Sequence, residues 1–190
     1  MYVYLRILVF SGLFLIFSGS FFGLAHADED SHPKWKEGRL RLELAGYAGL
    51  NSASESRSGD INVVGSIEYE GALSQRLTLG VKFSPLFYYH QDPAGEPDIW
   101  GASIGPELRF YTKRGEYRGF FGEAGTAVLA TAEKFEENSG SINFIVEFGA
   151  GYEFKSGWHV AVKFRHLSNL FLASSNAGAD GVGFGLGYSF

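Results

Sequence analysis

Within HLSNLFLASSNAGAD, residues 166–180, the chain gathers an imidazole, a hydroxyl, two carboxamides and a carboxylate: His166, Ser168, Asn169, Asn176 and Asp180. A serine activated by a histidine, with a carboxylate fixing the imidazole tautomer and amide donors receiving the oxyanion, is the machinery of ester cleavage. A His-x-Ser spacing also recurs by chance. These residues carry that chemistry only if the elements holding them aim them at one point.

The elements are legible as a period of two. In SINFIVEFGAGYEFK the even positions Ile142, Phe144, Val146, Phe148, Tyr152 and Phe154 are apolar, and the odd ones include Asn143, Glu147, Glu153 and Lys155. Such alternation gives a strand one apolar and one polar face. GWHVAVKFRH and GVGFGLGYSF repeat it, as do DINVVGSIEYEG and RLTLGVKF earlier in the chain. Eight such segments fall at roughly 38–50, 60–73, 75–90, 98–113, 116–131, 140–155, 157–168 and 180–190. The fifth has an ambiguous phase that suggests a bulge. Connections alternate between long (NSASESRSGD, DPAGEPD, AEKFEENSG, NLFLASSNAGA) and very short, the plan of an outer-membrane barrel with long external loops and tight periplasmic turns.

A soluble eight-stranded barrel such as a lipocalin would turn its apolar side chains inward. Here Glu68, Glu70, Arg76, Lys82, Glu107, Arg109, Glu147, Lys163 and Arg165 share the face opposite the aromatics. Charges of both signs can pair inside a narrow barrel whose interior is filled by side chains, while the apolar faces meet lipid. The expected fold is therefore all-β, an eight-stranded antiparallel transmembrane β-barrel. The aromatic ending GLGYSF resembles the terminal strand signature by which outer-membrane proteins are recognised for assembly.

Parity then directs the reactive residues. On the seventh strand the lipid-facing positions are even, so His166 and Ser168 continue the outward row; on the eighth they are even too, and Asp180 joins it. The two strands are consecutive and antiparallel. From their periplasmic ends each climbs roughly 25 Å to these residues, at about 3.3 Å per residue and a tilt near 40°, which matches the apolar band. Hydroxyl, imidazole and carboxylate are expected to converge at the external rim, on the lipid side.

The first 27 residues read as a signal peptide: one positive charge in MYVYLR, an apolar run, and Ala25-His26-Ala27 as the cleavage site. Removing them leaves 163 residues of the 190, a single barrel domain over 28–190, and the loss of Arg6 takes the net charge from −5 to −6. That balance argues against nucleic acid as a partner. Without cysteine there are no disulfides, thiol nucleophiles or thiolate-bound metals.

Arg165-His166-Leu167-Ser168-Asn169, followed by Asn176-Ala177-Gly178 and an acid fourteen residues after the histidine, resembles the PagL-type lipid A 3-O-deacylases of Gram-negative outer membranes. The resemblance implies an eight-stranded barrel that hydrolyses the ester-linked acyl chain at position 3 of lipid A, with no metal or other cofactor. By that resemblance His166 is the base, Ser168 the nucleophile and Asp180 the orienting acid, and Asn169 and Asn176 serve the local geometry or the oxyanion hole. The implied partners are lipopolysaccharide as substrate and the surrounding outer-membrane lipid; a homodimer is left open. Two departures from the pattern stand out: Leu170-Phe171 stand where the family has Ala-Gly, and Asp180 where it has Glu.

Other candidates are weaker. His159 has inward parity and belongs to the polar interior, and His32 and His90 lack metal-ligand spacing. EKFEEN reads as a solvated acidic run with some capacity for divalent cations, and the paired glycines of GVGFGLG suit a crowded barrel interior. Two further functions fit the architecture. One is a non-enzymatic barrel for adhesion or membrane stabilisation. The other is an acyltransferase, which needs an interior lipid pocket that a charged interior opposes.

Overall fold

The alternation is realised in eight strands: β1 (Arg39–Leu50), β2 (Ile61–Ala72), β3 (Leu77–His90), β4 (Ile99–Tyr111), β5 (Gly119–Thr131), β6 (Ile142–Glu153), β7 (Trp158–Ser168) and β8 (Ala179–Ser189). Each pairs antiparallel with the next, and β8 returns to β1 to close the barrel, so every strand has two neighbours and no sheet edge faces lipid. The computed structural model describes residues 38–51, 57–92, 96–135, 139–170, 172, 175–176 and 178–190. The signal peptide expected at 1–27, together with His32 and Phe171, lies outside the described residues.

Outward positions are apolar and exposed, among them Leu44, Val81, Ile104, Val162 and Phe184. At the short-turn end they become aromatic: Phe120, Tyr152 and Phe154 pack edge to face, and Trp158, Tyr188 and Phe190 form a second such row. At the long-loop end Tyr88 lies 4.8 Å from Trp100. Aromatic girdles of this kind mark the two interfaces of a bilayer.

Inward positions form an ion network. Arg109 bonds Glu70 at 2.5 Å and Glu68 and Glu123 at 3.0 Å; Lys82 lies 2.8 Å from Glu107 and 2.7 Å from Glu147; Lys163 reaches Glu43 at 2.5 Å and Glu123 at 2.9 Å. Burial on this scale is tolerable because each charge meets an opposite one. Arg76 departs from expectation: it lies in the turn between β2 and β3 and not on an inward strand face.

The bulge expected in β5 is absent there, since β5 keeps a continuous register with β6 from Gly119 opposite Glu153 to Ala130 opposite Ile142. The irregularity sits in β3, where pairing with both neighbours shifts around Ser84–Phe87. Pro85 explains it, because proline has no N–H to give a ladder and settles at bulges or edges. The shift inverts the strand's parity. Below it Leu79, Val81 and Phe83 face outward; above it Phe87 and Tyr89 turn inward and His90 outward. The interior is consequently not polar throughout. Phe87, Tyr89, Ile99, Leu129, Ile145 and Leu167 close its outer end, and Phe135 of the EKFEEN run packs on them, its ring 5.0 Å from Tyr89.

Candidate active site

β7 and β8 pair in a register that runs from Trp158 opposite Tyr188 to His166 opposite Asp180. Directly opposed residues on one face have Cβ atoms about 5 Å apart. Asp180 Oδ1 therefore reaches His166 Nδ1, at 2.6 Å, although its side chain is one methylene shorter than the glutamate of the family pattern. With Nδ1–H donating to the carboxylate, Nε2 is the ring nitrogen left to accept a proton. Both side chains are about one-quarter to one-third exposed, at 25% and 32%.

Ser168 ends β7 on the side of the sheet that carries Phe164 and His166, opposite Phe144 of β6. Two residues along a strand advance about 6.6 Å and return to the same face. Ser168 shares the outward parity of its row but is 6% exposed, so it is covered where a regular outward residue would be open.

The β7–β8 connection (169–178) begins with Asn169, which is fully buried. Its backbone N–H donates to Asn176 Oδ1 at 2.8 Å and its side-chain Nδ2 donates to the Ser175 carbonyl at 2.6 Å. Because the Asn176 oxygen is taken, that carboxamide has its Nδ2 hydrogens to offer elsewhere. The turn is tight: Leu172 N–H donates to the Asn169 carbonyl at 3.0 Å, and Leu170 is held at φ 51°, a left-handed conformation uncommon for a branched side chain. At the far end of the loop, a Cβ added to Gly178 would stand 3.1 Å from His166 Cε1, so this glycine leaves the ring its place. In the sequence Gly178 stood only as part of the Asn-x-Gly that carries the resemblance, and nothing there said that the imidazole is what it accommodates.

Behind the site, on the inner side of the wall, a cavity of about 20 Å³ is lined by residues including Tyr47, Asn62, Tyr89, Arg165 and Leu167. That volume suits a single water and not an acyl chain. The other sequence candidates separate clearly from the His166 group. His159 is buried in the interior, with Nε2 3.4 Å from Glu43. His90 Nδ1 lies 2.7 Å from Asp98 Oδ1 at the rim of β3 and β4, and Asp98 also accepts from the Tyr88 hydroxyl at 3.0 Å. These two donors, the imidazole first, hold the Asp98 carboxyl below its ordinary value. Two residues after His90 stands Asp92, however, so this second pair has no hydroxyl in the place that Ser168 occupies. Among the described residues one trio of acids, Glu107, Glu123 and Glu147, is close enough to share a cation. Lys82 and Lys163 already neutralise it from within hydrogen-bonding range.

The model of the lipid A 3-O-deacylase (PagL) family matches residues 22–189 of the sequence. Among solved structures, the outer-membrane enzyme PagL aligns with a TM-score of 0.62 at 20% identity, covering 78% of this chain and 98% of that one. Neisserial surface protein A (NspA) aligns at 0.53 with 14% identity, covering 80% and 97%, and the N-terminal β-barrel domain of Pseudomonas aeruginosa OprF at 0.50 with 17% identity, covering 81% and 100%. At these identities the likeness is one of fold. Curated protein sequences give no match.

Proposed function

The chain belongs to the PagL family of lipid A 3-O-deacylases, and from that premise we propose that it is a serine esterase that removes the 3-position (hydroxy)acyl chain from lipid A, with Ser168, His166 and Asp180 as its triad. The barrel spans the Gram-negative outer membrane. Its substrate is confined to the outer leaflet of the same membrane, so a site on the outer wall needs no route into the lumen.

The observation that carries this reading is the 2.6 Å contact between His166 Nδ1 and Asp180, with a covered serine two residues farther along the same face. In the proposed cycle His166 Nε2 takes the Ser168 proton as Oγ attacks the ester carbonyl carbon, and Asp180 stabilises the imidazolium. Asn176 Nδ2 is the side-chain donor for the oxyanion. Collapse expels the sugar 3-oxygen, which recovers the proton from His166. Water, activated by the same imidazole, then releases the fatty acid and restores the serine.

Mass spectrometry of lipid A from cells with and without the protein tests the reading. Expression should remove one hydroxyacyl mass, and Ser168→Ala and His166→Ala should each abolish that loss while the barrel remains heat-modifiable on gels. An unchanged product in either variant would remove the triad assignment, whereas no loss of hydroxyacyl mass with the unsubstituted protein would leave the barrel to be read as a non-enzymatic membrane protein.

A further inference from the structure

Asn176 is oriented by Asn169, and Asn169 is oriented in turn by a residue outside the motif. Its Nδ2 donates to the Ser175 carbonyl, so the carboxamide stays in place only while that peptide does. Ser175 is exposed, near the end of a loop, and such a position is not rigid by itself. What secures it is the neighbouring connection between β5 and β6. Ser139 N–H donates to Ser175 Oγ at 3.1 Å, and Ser175 N–H donates to Ser139 Oγ at 3.0 Å. The exchange is reciprocal: each residue gives its backbone hydrogen and receives on its hydroxyl. Two loops that leave the open end of the β6–β7 hairpin are thereby joined at one point.

We infer that Ser139 is a positioning residue for the proposed deacylation, acting through Ser175 and Asn169 on the carboxamide of Asn176. The inference rests on the esterase reading above. The path is continuous and each link is a hydrogen bond: Ser139 with Ser175, the Ser175 carbonyl with Asn169 Nδ2, and the Asn169 amide with Asn176 Oδ1. Its far end is the donor proposed for the oxyanion. Asn169 directly follows Ser168, so the same links also brace the end of β7 that carries the nucleophile. The four hydrogen bonds of the path are made among Ser139, Ser175, Asn169 and Asn176, separately from the bond between His166 and Asp180.

That separation sets the kinetic signature. An oxyanion donor engages charge that exists only in the transition state, so loosening it lowers kcat and leaves substrate binding alone. The base is untouched, so the pH dependence of kcat should stay where it was. A residue whose only role was to keep the barrel folded would instead lower the amount of active protein and leave the turnover of each folded molecule unchanged.

The test uses the full-length protein in outer-membrane vesicles, with release of hydroxy fatty acid from lipopolysaccharide as the readout. Ser139→Ala, which deletes the hydroxyl that accepts the Ser175 N–H, should lower kcat about tenfold, since small misplacements of a catalytic group are costly. KM should stay within about twofold, as expected when ground-state binding is unaffected. The pH profile should not shift, and Ser139→Thr, which restores a hydroxyl, should recover most of the rate. Heat-modifiable mobility confirms that each variant is folded. Four results would overturn the proposal: turnover in Ser139→Ala equal to that of the parent, a loss that threonine does not repair, a shifted pH profile, or a loss that tracks the unfolded fraction. If the unsubstituted protein releases no fatty acid, the esterase reading fails and takes this inference with it. If it does release fatty acid and Ser139→Ala behaves identically, only the inference fails.

Discussion

At the scale of the residue, the His166–Asp180 pair shows how register substitutes for side-chain length. A carboxylate held directly across the ladder needs no extra methylene to meet Nδ1, and the 2.6 Å separation is that of a charge-assisted bond. The orienting role proposed for Asp180 makes a sharp prediction. Asp180→Asn keeps the shape but presents an amide that favours the wrong imidazole tautomer, so deacylation should fall by about four orders of magnitude with little change in the folded barrel. The paired measurement is His90→Ala. His90 sits against Asp98 in nearly the same geometry, 2.7 Å apart, but without a serine, so its removal should leave lipid A deacylation unchanged. Equal losses in the two variants would mean that rim histidines act through the membrane interface and not through a triad.

At the scale of the element, two departures from regular strand geometry decide what the rims present. Pro85 shifts the register of β3, and the inverted parity sends Phe87 and Tyr89 inward to close the outer end of the lumen. Leu170 does similar work in the β7–β8 loop, where φ 51° turns the chain sharply enough for Leu172 N–H to reach the Asn169 carbonyl. A left-handed residue other than glycine costs about 1–2 kcal/mol, and a β-branched one is worse placed still. Leu170→Val should therefore lower the urea midpoint of the barrel in lipid vesicles, by about 1 kcal/mol in free energy, and lower activity with it. Leu170→Gly should be at least as stable as the parent, because glycine takes this conformation without strain. A valine variant as stable as the parent would show that the turn tolerates another backbone path.

At the scale of the whole molecule, the inside and outside of the barrel have separate tasks. Among the described residues the lumen is occupied by paired charges and an apolar plug, and the cavity beside Tyr47 and Arg165, at about 20 Å³, has room for a single water; both oppose the interior donor pocket that an acyltransferase would need. Arg109 is the hub, bound at once to Glu68, Glu70 and Glu123 and set over the Phe121 ring at 5.4 Å. Arg109→Met leaves three buried carboxylates short of a partner. Urea unfolding in vesicles should show a loss of about 3–5 kcal/mol, the scale of a broken buried ion pair. The pH profile of whatever activity remains should match that of the parent, since the proposed site lies on the other side of the wall. A shifted profile would reveal electrical coupling across the sheet.

The amino-acid sequence by itself determined the number of strands, the approximate limits of each, the long-short order of connections, and the common face of His166, Ser168 and Asp180. Those follow from the pleat: side-chain alternation is a local property, readable from a few residues at a time. Only the tertiary structure decided that Asp180 stands directly opposite His166 with its shorter side chain, that β3 and not β5 carries the bulge, that Gly178 makes room for the imidazole, and that Ser139 is tied to Ser175 thirty-six residues away. Each of these depends on how separate segments lie against one another. No period within a single strand encodes that relation; it is settled when the sheet closes and fixes the register of every pair at once.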